Sequence, residues 1–236
     1  MKKIKPQNFF LNIVYEDKDI LIIDKQLNSI VHTNDNIREN TIVNGLINYI
    51  DKSYSLPRSG LIHRLDKNTT GLMVIAKNIQ SQKNIMLQFK KKCINKFYVA
   101  IVHGSILNGG IIRNTLRRDG NNYLKMKIIN LPPEDYNSVT HYRVLNKYKR
   151  YTLLSIKLET GKTHQIRIHL SHQSSPIVGE SLYQNKYGNL DKEMNIRHHL
   201  LHAKYLQFFH PIHKKKLSFF SKIPDYFFSF LNSIEK

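Results

Sequence analysis

The stretch Gly71-Leu-Met-Val-Ile-Ala-Lys77 is apolar from Leu72 through Ala76 and then stops on a charge. A strand with one wet face alternates apolar and polar residues. A run that is apolar on both faces therefore reads as a central strand, buried on each side of its sheet. Asp19-Ile-Leu-Ile-Ile-Asp-Lys25 reads as a second buried strand, bounded by charges.

The other segments extend this frame. Lys96 to Gly104, "KFYVAIVHG", is rich in β-formers and closed by glycine. "VTHYRVL" and "YTLLSIKLE" predict a hairpin around a polar turn at Asn146 to Lys149, and "LLHAKYLQFFHPIHKKKLSFF" predicts another around Pro211. Asn78 is placed to cap a helix running to about Lys92, with Ile85, Met86 and Phe89 on one side. "THQIRIHLS" alternates but is read as a helix capped by Thr163, because Gly161 gives a clean break before it. A short helix follows Pro224, and Ser105 to Asn137 stays unassigned. Strands outnumber helices, so the class is α+β with a mixed, mainly antiparallel sheet and flanking helices. No linker, repeat or low-complexity tract divides the chain. It reads as a single domain over 1–236.

Charge narrows the partners. Among 236 residues, 37 are Lys or Arg and 17 are acidic, a net charge of +20. AT-biased coding explains part of the lysine excess. The remainder favours a polyanion, with nucleic acid ahead of a membrane surface. With 41% hydrophobic residues the chain should fold. The single cysteine excludes an internal disulfide and fits a reducing compartment. The start carries no secretory signal and no apolar run is long enough to span a bilayer, so the expectation is a cytoplasmic protein with no membrane partner.

The chemistry gathers just ahead of the central strand, in Leu61-Ile-His-Arg-Leu-Asp-Lys-Asn-Thr-Thr-Gly71. One carboxylate, Asp66, stands between Arg64 and Lys67, an arrangement suited to acting on an anionic substrate. His63-Arg64-Leu65-Asp66 with Thr69-Thr70-Gly71 resembles the signature of the RluA family of RNA pseudouridine synthases, Thr70 replacing the usual serine. "YVAIVHG" from Tyr98 resembles the family's second motif, "LETGKTHQIRIHL" with "PIVGESLY" its third, and "LHAKYLQFFHP" its closing block. These blocks fall in the family's order over about residues 13 to 230. Their similarity is greatest to the large-subunit ribosomal RNA branch.

The resemblance implies a pseudouridine synthase fold with an RNA-binding cleft, in a single catalytic domain without the separate N-terminal RNA-binding domain that several members carry, and an isomerase that needs no cofactor. Uracil is detached from its ribose, rotated and rejoined through carbon. Asp66 is then the nucleophile. Burial alone would raise an aspartate by about 3–5 pKa units, roughly 4–7 kcal/mol, and leave it protonated. A guanidinium at about 4 Å returns roughly 4 kcal/mol at an effective dielectric near 20, so one arginine is a remedy of the right size. By resemblance it is Arg167. Tyr98 is implied to stack on the base and to remove the proton from the new carbon–carbon linkage, and Arg64 to fill the space of a base turned out of the RNA. His63, Lys67, Thr70, Lys162 and His164 complete the expected RNA-binding and base-flipping set.

Rival readings are a non-catalytic RNA-binding or ribosome-binding protein and a metal-dependent nuclease or phosphatase. His164, His169 and His172, and the group His198, His199 and His202, invite the metal reading. There are no cysteine pairs and no His-Glu-x-x-His run, so no metal is expected. Two departures from the family pattern are local. Gln26 and Asn28 stand where proline and glycine are usual after Lys25, and Gln184 stands where a glycine is usual. Asn tolerates positive φ, so the first turn can survive. The expected partner is structured RNA, ribosomal before transfer RNA, and the expected state is a monomer.

Overall fold

The computed structural model describes residues 4–32, 37, 39–50, 55–183 and 186–234; Gln184 lies outside them. In chain order the first elements are β1 (Ile13–Glu16), β2 (Ile20–Lys25), α1 (Ile42–Tyr49), β3 (Thr70–Ala76) and α2 (Ile79–Lys90). They are followed by β4 (Asn95–His103), β5 (Gly110–Arg118), β6 (Met126–Ile129), β7 (Ser138–Tyr148) and β8 (Tyr151–Leu158). The last are α3 (Gln165–His172), α4 (Gly188–Glu193), β9 (Leu201–Phe209), β10 (Lys216–Phe220) and α5 (Asp225–Ile234). The class is α+β, as expected. The backbone forms two compact units: Met1–Ile94 with Ala203–Ser221, and Asn95–His202 with Lys222–Lys236. No helix among the described residues is long and apolar enough to cross a membrane.

In the first unit the strand order is β1-β2-β3-β9-β10. All seven residues of β3 are buried, which is what its unbroken apolar run requires. Ile20 and Ile22 of β2, Leu72 and Val74 of β3 and Phe208 of β9 form a core with Ile85 of α2. Asn78 caps α2 by accepting from the Ser81 N–H at 2.9 Å. Phe89 packs against this core. Met86, expected on the same side, is instead 54% exposed. One position is about 100° of helix, so Met86 turns off the face that Ile85 and Phe89 share at i and i+4.

In the second unit the order is β4-β8-β7-β5-β6, with every neighbouring pair antiparallel. The segment without a sequence assignment supplies β5 and β6. The β7–β8 turn falls at Lys149 and Arg150, because an irregularity after Val144 keeps Asn146 inside the strand. Helix α3 begins at Gln165, not at a Thr163 cap; His164 occupies the cap in the left-handed region, φ 54°. The Gln165 side chain explains the change. Its Oε1 accepts from the Lys162 N–H and the Thr160 hydroxyl, and its Nε2 donates to the Val139 carbonyl, so it closes the preceding turn itself. Helix α5 lays Phe227, Phe230 and Leu231 over Val99 and Ile101 of β4.

Gly71 joins the sequence motif to the sheet. Its φ is +111°, and a Cβ there would lie 2.3 Å from the Ala203 carbonyl oxygen. Both constraints exclude a side chain. Gly71→Ala is expected to cost more than about 2 kcal/mol of unfolding free energy. Gly120→Ala, with nothing within 4 Å of its Cβ, is the control and should leave the melting curve in place.

Candidate active site

The first unit holds the loop that ends in Asp66. Leu65 is buried and anchors it, Arg64 and Lys67 face solvent, and Asp66 between them is half-buried. Apolar burial at one position therefore presents a cation and a carboxylate on either side of it. The loop closes in a tight turn, with the Thr69 N–H donating to the Asp66 carbonyl at 3.1 Å. Thr69 and Thr70 are buried as the chain enters β3. His63 is held from that strand: its Nε2 accepts from the Val74 N–H at 3.0 Å, and its ring lies 5.2 Å from that of Phe89. His32 stands near Arg64 and Arg58. Burial first, then those two cations, push its imidazole down to about 4 and keep it neutral.

A buried lysine ties the loop down. Lys25 is 2% exposed, and its Nζ donates to the carbonyls of Gln26, Ser29 and Lys67 at 2.9, 3.0 and 2.9 Å. Three carbonyls take the three N–H bonds of an ammonium. Burial pushes the group down to about 7 and the Asp66 carboxylate pulls it back up. Asn28, where the family uses glycine, sits in the left-handed region at φ 62°, so the turn has survived the change.

The second unit holds Tyr98 and Arg167. Tyr98 is buried on β4, opposite Ile156 of β8. Lys96, two residues earlier and so on the same face, is also buried, and burial pushes it down to about 8. Arg167, on α3, makes a two-pronged ion pair with Glu180: Nε to Oε2 at 2.7 Å and Nη2 to Oε1 at 2.8 Å. Burial would raise the Glu180 carboxyl. The Arg167 hydrogen bonds and charge, joined by the Leu182 N–H and His199, override burial and hold it below the usual carboxylate range. Gly179 makes the placement possible, because a Cβ there would lie 2.2 Å from the His198 carbonyl oxygen. The guanidinium stands over the Tyr183 ring at 5.7 Å, and the Tyr183 hydroxyl is 3.0 Å from His164 Nδ1. Lys162 is exposed on the turn before α3.

The profile of the family described as RNA pseudouridylate synthase matches residues 19–172. The chain belongs to that family. It is an RNA pseudouridine synthase. Ribosomal large subunit pseudouridine synthase D of Buchnera aphidicola subsp. Acyrthosiphon pisum is 44% identical over 215 residues, which span 87% of this chain and 68% of that one. The protein of the same name from Haemophilus influenzae is 34% identical, spanning 99% of this chain and 74% of that one. The solved structure of human RNA pseudouridylate synthase domain containing 4 aligns with a TM-score of 0.71 at 25% identity, over 95% of this chain and 93% of that one.

Sequence reasoning about this pseudouridine synthase missed two groups. Glu180 lies within the quoted "PIVGESLY", but nothing in the string pairs a glutamate with an arginine 13 residues earlier. Lys25 stands in the sequence only as part of a family pattern, since its backbone-carbonyl partners leave no mark there. The histidines read otherwise. His169 is fully buried, its Nε2 3.0 Å from the Ser138 hydroxyl and its Nδ1 2.9 Å from the Thr140 hydroxyl, so it pins α3 to β7. A different group, Asp19, His210 and His213, has ligand atoms within 4.8 Å of one another. His210 Nδ1 accepts from the N–H groups of Ile212 and His213, so its proton belongs on Nε2, which donates to Asp17. In that tautomer the ring's lone pair, on Nδ1, is already engaged by those two N–H groups.

Two outcomes follow. Lys25→Met leaves three carbonyls without their donor and is expected to cost roughly 2–4 kcal/mol in a denaturant titration. His169 is pushed down by burial from 6.5 to about 4 in the folded chain. The unfolded chain therefore takes up this proton first, and stability is lost as pH falls from about 6.5 to about 4. Unfolding free energy should drop by about 2–3 kcal/mol across that window on account of this group. His169→Gln should flatten the drop without abolishing it, since His32 titrates in the same window.

Proposed function

We propose that this chain isomerises uridine to pseudouridine in large-subunit ribosomal RNA, with Asp66 as the nucleophile. The support for the RNA is the name carried by its bacterial relatives, ribosomal large subunit pseudouridine synthase D. The support for Asp66 is its place in the His63–Asp66 signature, on a half-buried turn that a buried lysine fixes.

The chemistry needs few groups. The bond between C1′ and N1 breaks, the base turns, a bond forms between C1′ and C5, the C5 proton leaves and N1 gains one. The product is an isomer of the substrate. A carboxylate can hold the sugar or the base covalently while the ring turns. Arg167 supplies the positive potential that keeps such a carboxylate ionised, and the Glu180 pair keeps its planar fork from swinging. Tyr98 covers the base and takes the C5 proton, a step that gains from a neighbouring cation; Lys96, on the same face of β4, is suited to that part. Arg64, exposed beside Asp66, fills the stack that the flipped uridine leaves. Lys67 and Lys162, both exposed, bind phosphate. His63, Thr70 and His164 shape the loops that carry these groups. The protein acts as a monomer in the cytoplasm and uses no metal.

Pseudouridine mapping of large-subunit ribosomal RNA and of transfer RNA, incubated with purified protein, tests the reading. Asp66→Asn and Asp66→Ala are expected to give no pseudouridine while binding RNA within about threefold of the parent. Turnover in either variant would remove Asp66 from the nucleophile's role. Product confined to transfer RNA would replace the substrate.

A further inference from the structure

Strand alternation places a second set of RNA-compatible side chains on the sheet face opposite Tyr98. Phe97 of β4 is opposite Lys157 of β8, Lys157 opposite His141 of β7, and His141 opposite Ile111 of β5. In the next row Val99 is opposite Ser155 and Ser155 opposite Arg143. Residues directly opposite share a face and neighbours in sequence do not, so Phe97, Lys157, His141, Ile111 and Arg143 lie together, away from Tyr98. Helix α5 covers this face at Val99 and Ile101, and the row at Phe97 lies beyond that cluster.

There the surface sinks into a depression of about 540 Å³ whose lining includes Phe97, Ile111, Arg143 and Lys157. Gly109 and Gly110 form its rim without side chains. Tyr142 is opposite Ile156, as Tyr98 is, so its ring belongs to the other face, where it packs over Gly110 at a place a Cβ would contest at 2.7 Å. Lys157 Nζ stands 5.8 Å from the centre of the Phe97 ring, Arg143 is exposed, and Ile111 is 47% exposed. Arg113, two residues along β5 on the same face, is exposed as well. The carboxylate in the lining, Glu159, is engaged by His141.

We propose that this face is a second RNA-contact surface, holding an unpaired segment of the substrate RNA away from the reacting uridine; this rests on RNA being the substrate. An aromatic ring beside cations is what an unpaired strand needs, a base stacking on the Phe97 ring while Arg143, Lys157 and Arg113 meet phosphates. A second copy of a chain with net charge +20 would bring like charge to a cationic face, whereas RNA brings the complement.

The test uses the whole chain with Arg143→Glu and Lys157→Glu together. The probes are a fluorescent oligouridine of about 30 nucleotides, long enough for several stacking sites, and a large-subunit ribosomal RNA transcript. Oligouridine affinity is expected to fall by at least about tenfold, and the slope of log K against log salt to shrink by about 1.4, two contacts at 0.7 each. On the transcript, KM should rise while the single-turnover rate at saturating enzyme stays within about threefold. Unchanged affinity and slope would overturn the proposal. So would sedimentation showing a parent dimer that the substitutions dissociate, since the occupant would then be a second copy. If the double variant melts earlier than its parent, Arg143→Ala on the exposed position replaces it, with a fall of at least about threefold expected and no change again overturning the proposal. A parent that binds RNA through this face yet forms no pseudouridine would count against the proposed function and leave this surface standing.

Discussion

A buried guanidinium locked to a buried carboxylate is the constraint on which the second unit's part of the candidate site depends. Removing either partner of such a pair leaves an uncompensated charge in the interior, at a cost of about 3–5 kcal/mol, so the pair is kept or lost as a whole. The two-pronged contact between Arg167 and Glu180 also consumes specific donors, Nε and one hydrogen of Nη2, and so fixes the plane of the fork. Everything around it serves that placement. Gly179 lets the chain pass under His198, Tyr183 lies beneath the guanidinium, and His169 with Gln165 fastens the helix from which Arg167 projects.

The first unit solves a parallel problem with one charge held by main-chain carbonyls. Lys25 puts its ammonium among three backbone carbonyls, one of them belonging to the residue after Asp66. Loop position is thereby set by main-chain geometry, which a neighbouring side-chain substitution does not disturb. Gly71 does the same from the other end, by allowing β3 to approach Ala203 more closely than any side chain permits. Between these two fixed points the turn has little freedom. Fixed geometry of this kind is what an enzyme needs if the reacting group is to meet its substrate without reorganisation.

Much of this was readable from the residues. β2 and β3 announced themselves by apolar runs, α2 by its Asn78 cap, and the family by four motif blocks that keep their order. Asn28 was readable too, as a residue that accepts the positive φ its turn demands. The failures have physical causes. β5 and β6 carry exposed arginines and lysines and are held by pairing to distant strands, so their local pattern is weak. Thr163 has the chemistry of a cap, but the Gln165 side chain reaches back to the Lys162 N–H and the Thr160 hydroxyl and closes the turn, which leaves His164 at the cap position. Glu180 and Lys25 act through partners that proximity in sequence does not reveal, one a distant arginine and the other main-chain oxygen.

The central claim is that the shape of Arg167, and not only its charge, serves the isomerisation. Lysine keeps the charge and loses the fork. The most direct measurement is the single-turnover release of the uridine C5 hydrogen, followed as tritium from labelled ribosomal RNA, in Arg167→Lys beside its parent. A rate lower by more than about thirtyfold at unchanged RNA affinity is the result this account predicts. A rate within about threefold of the parent would contradict it.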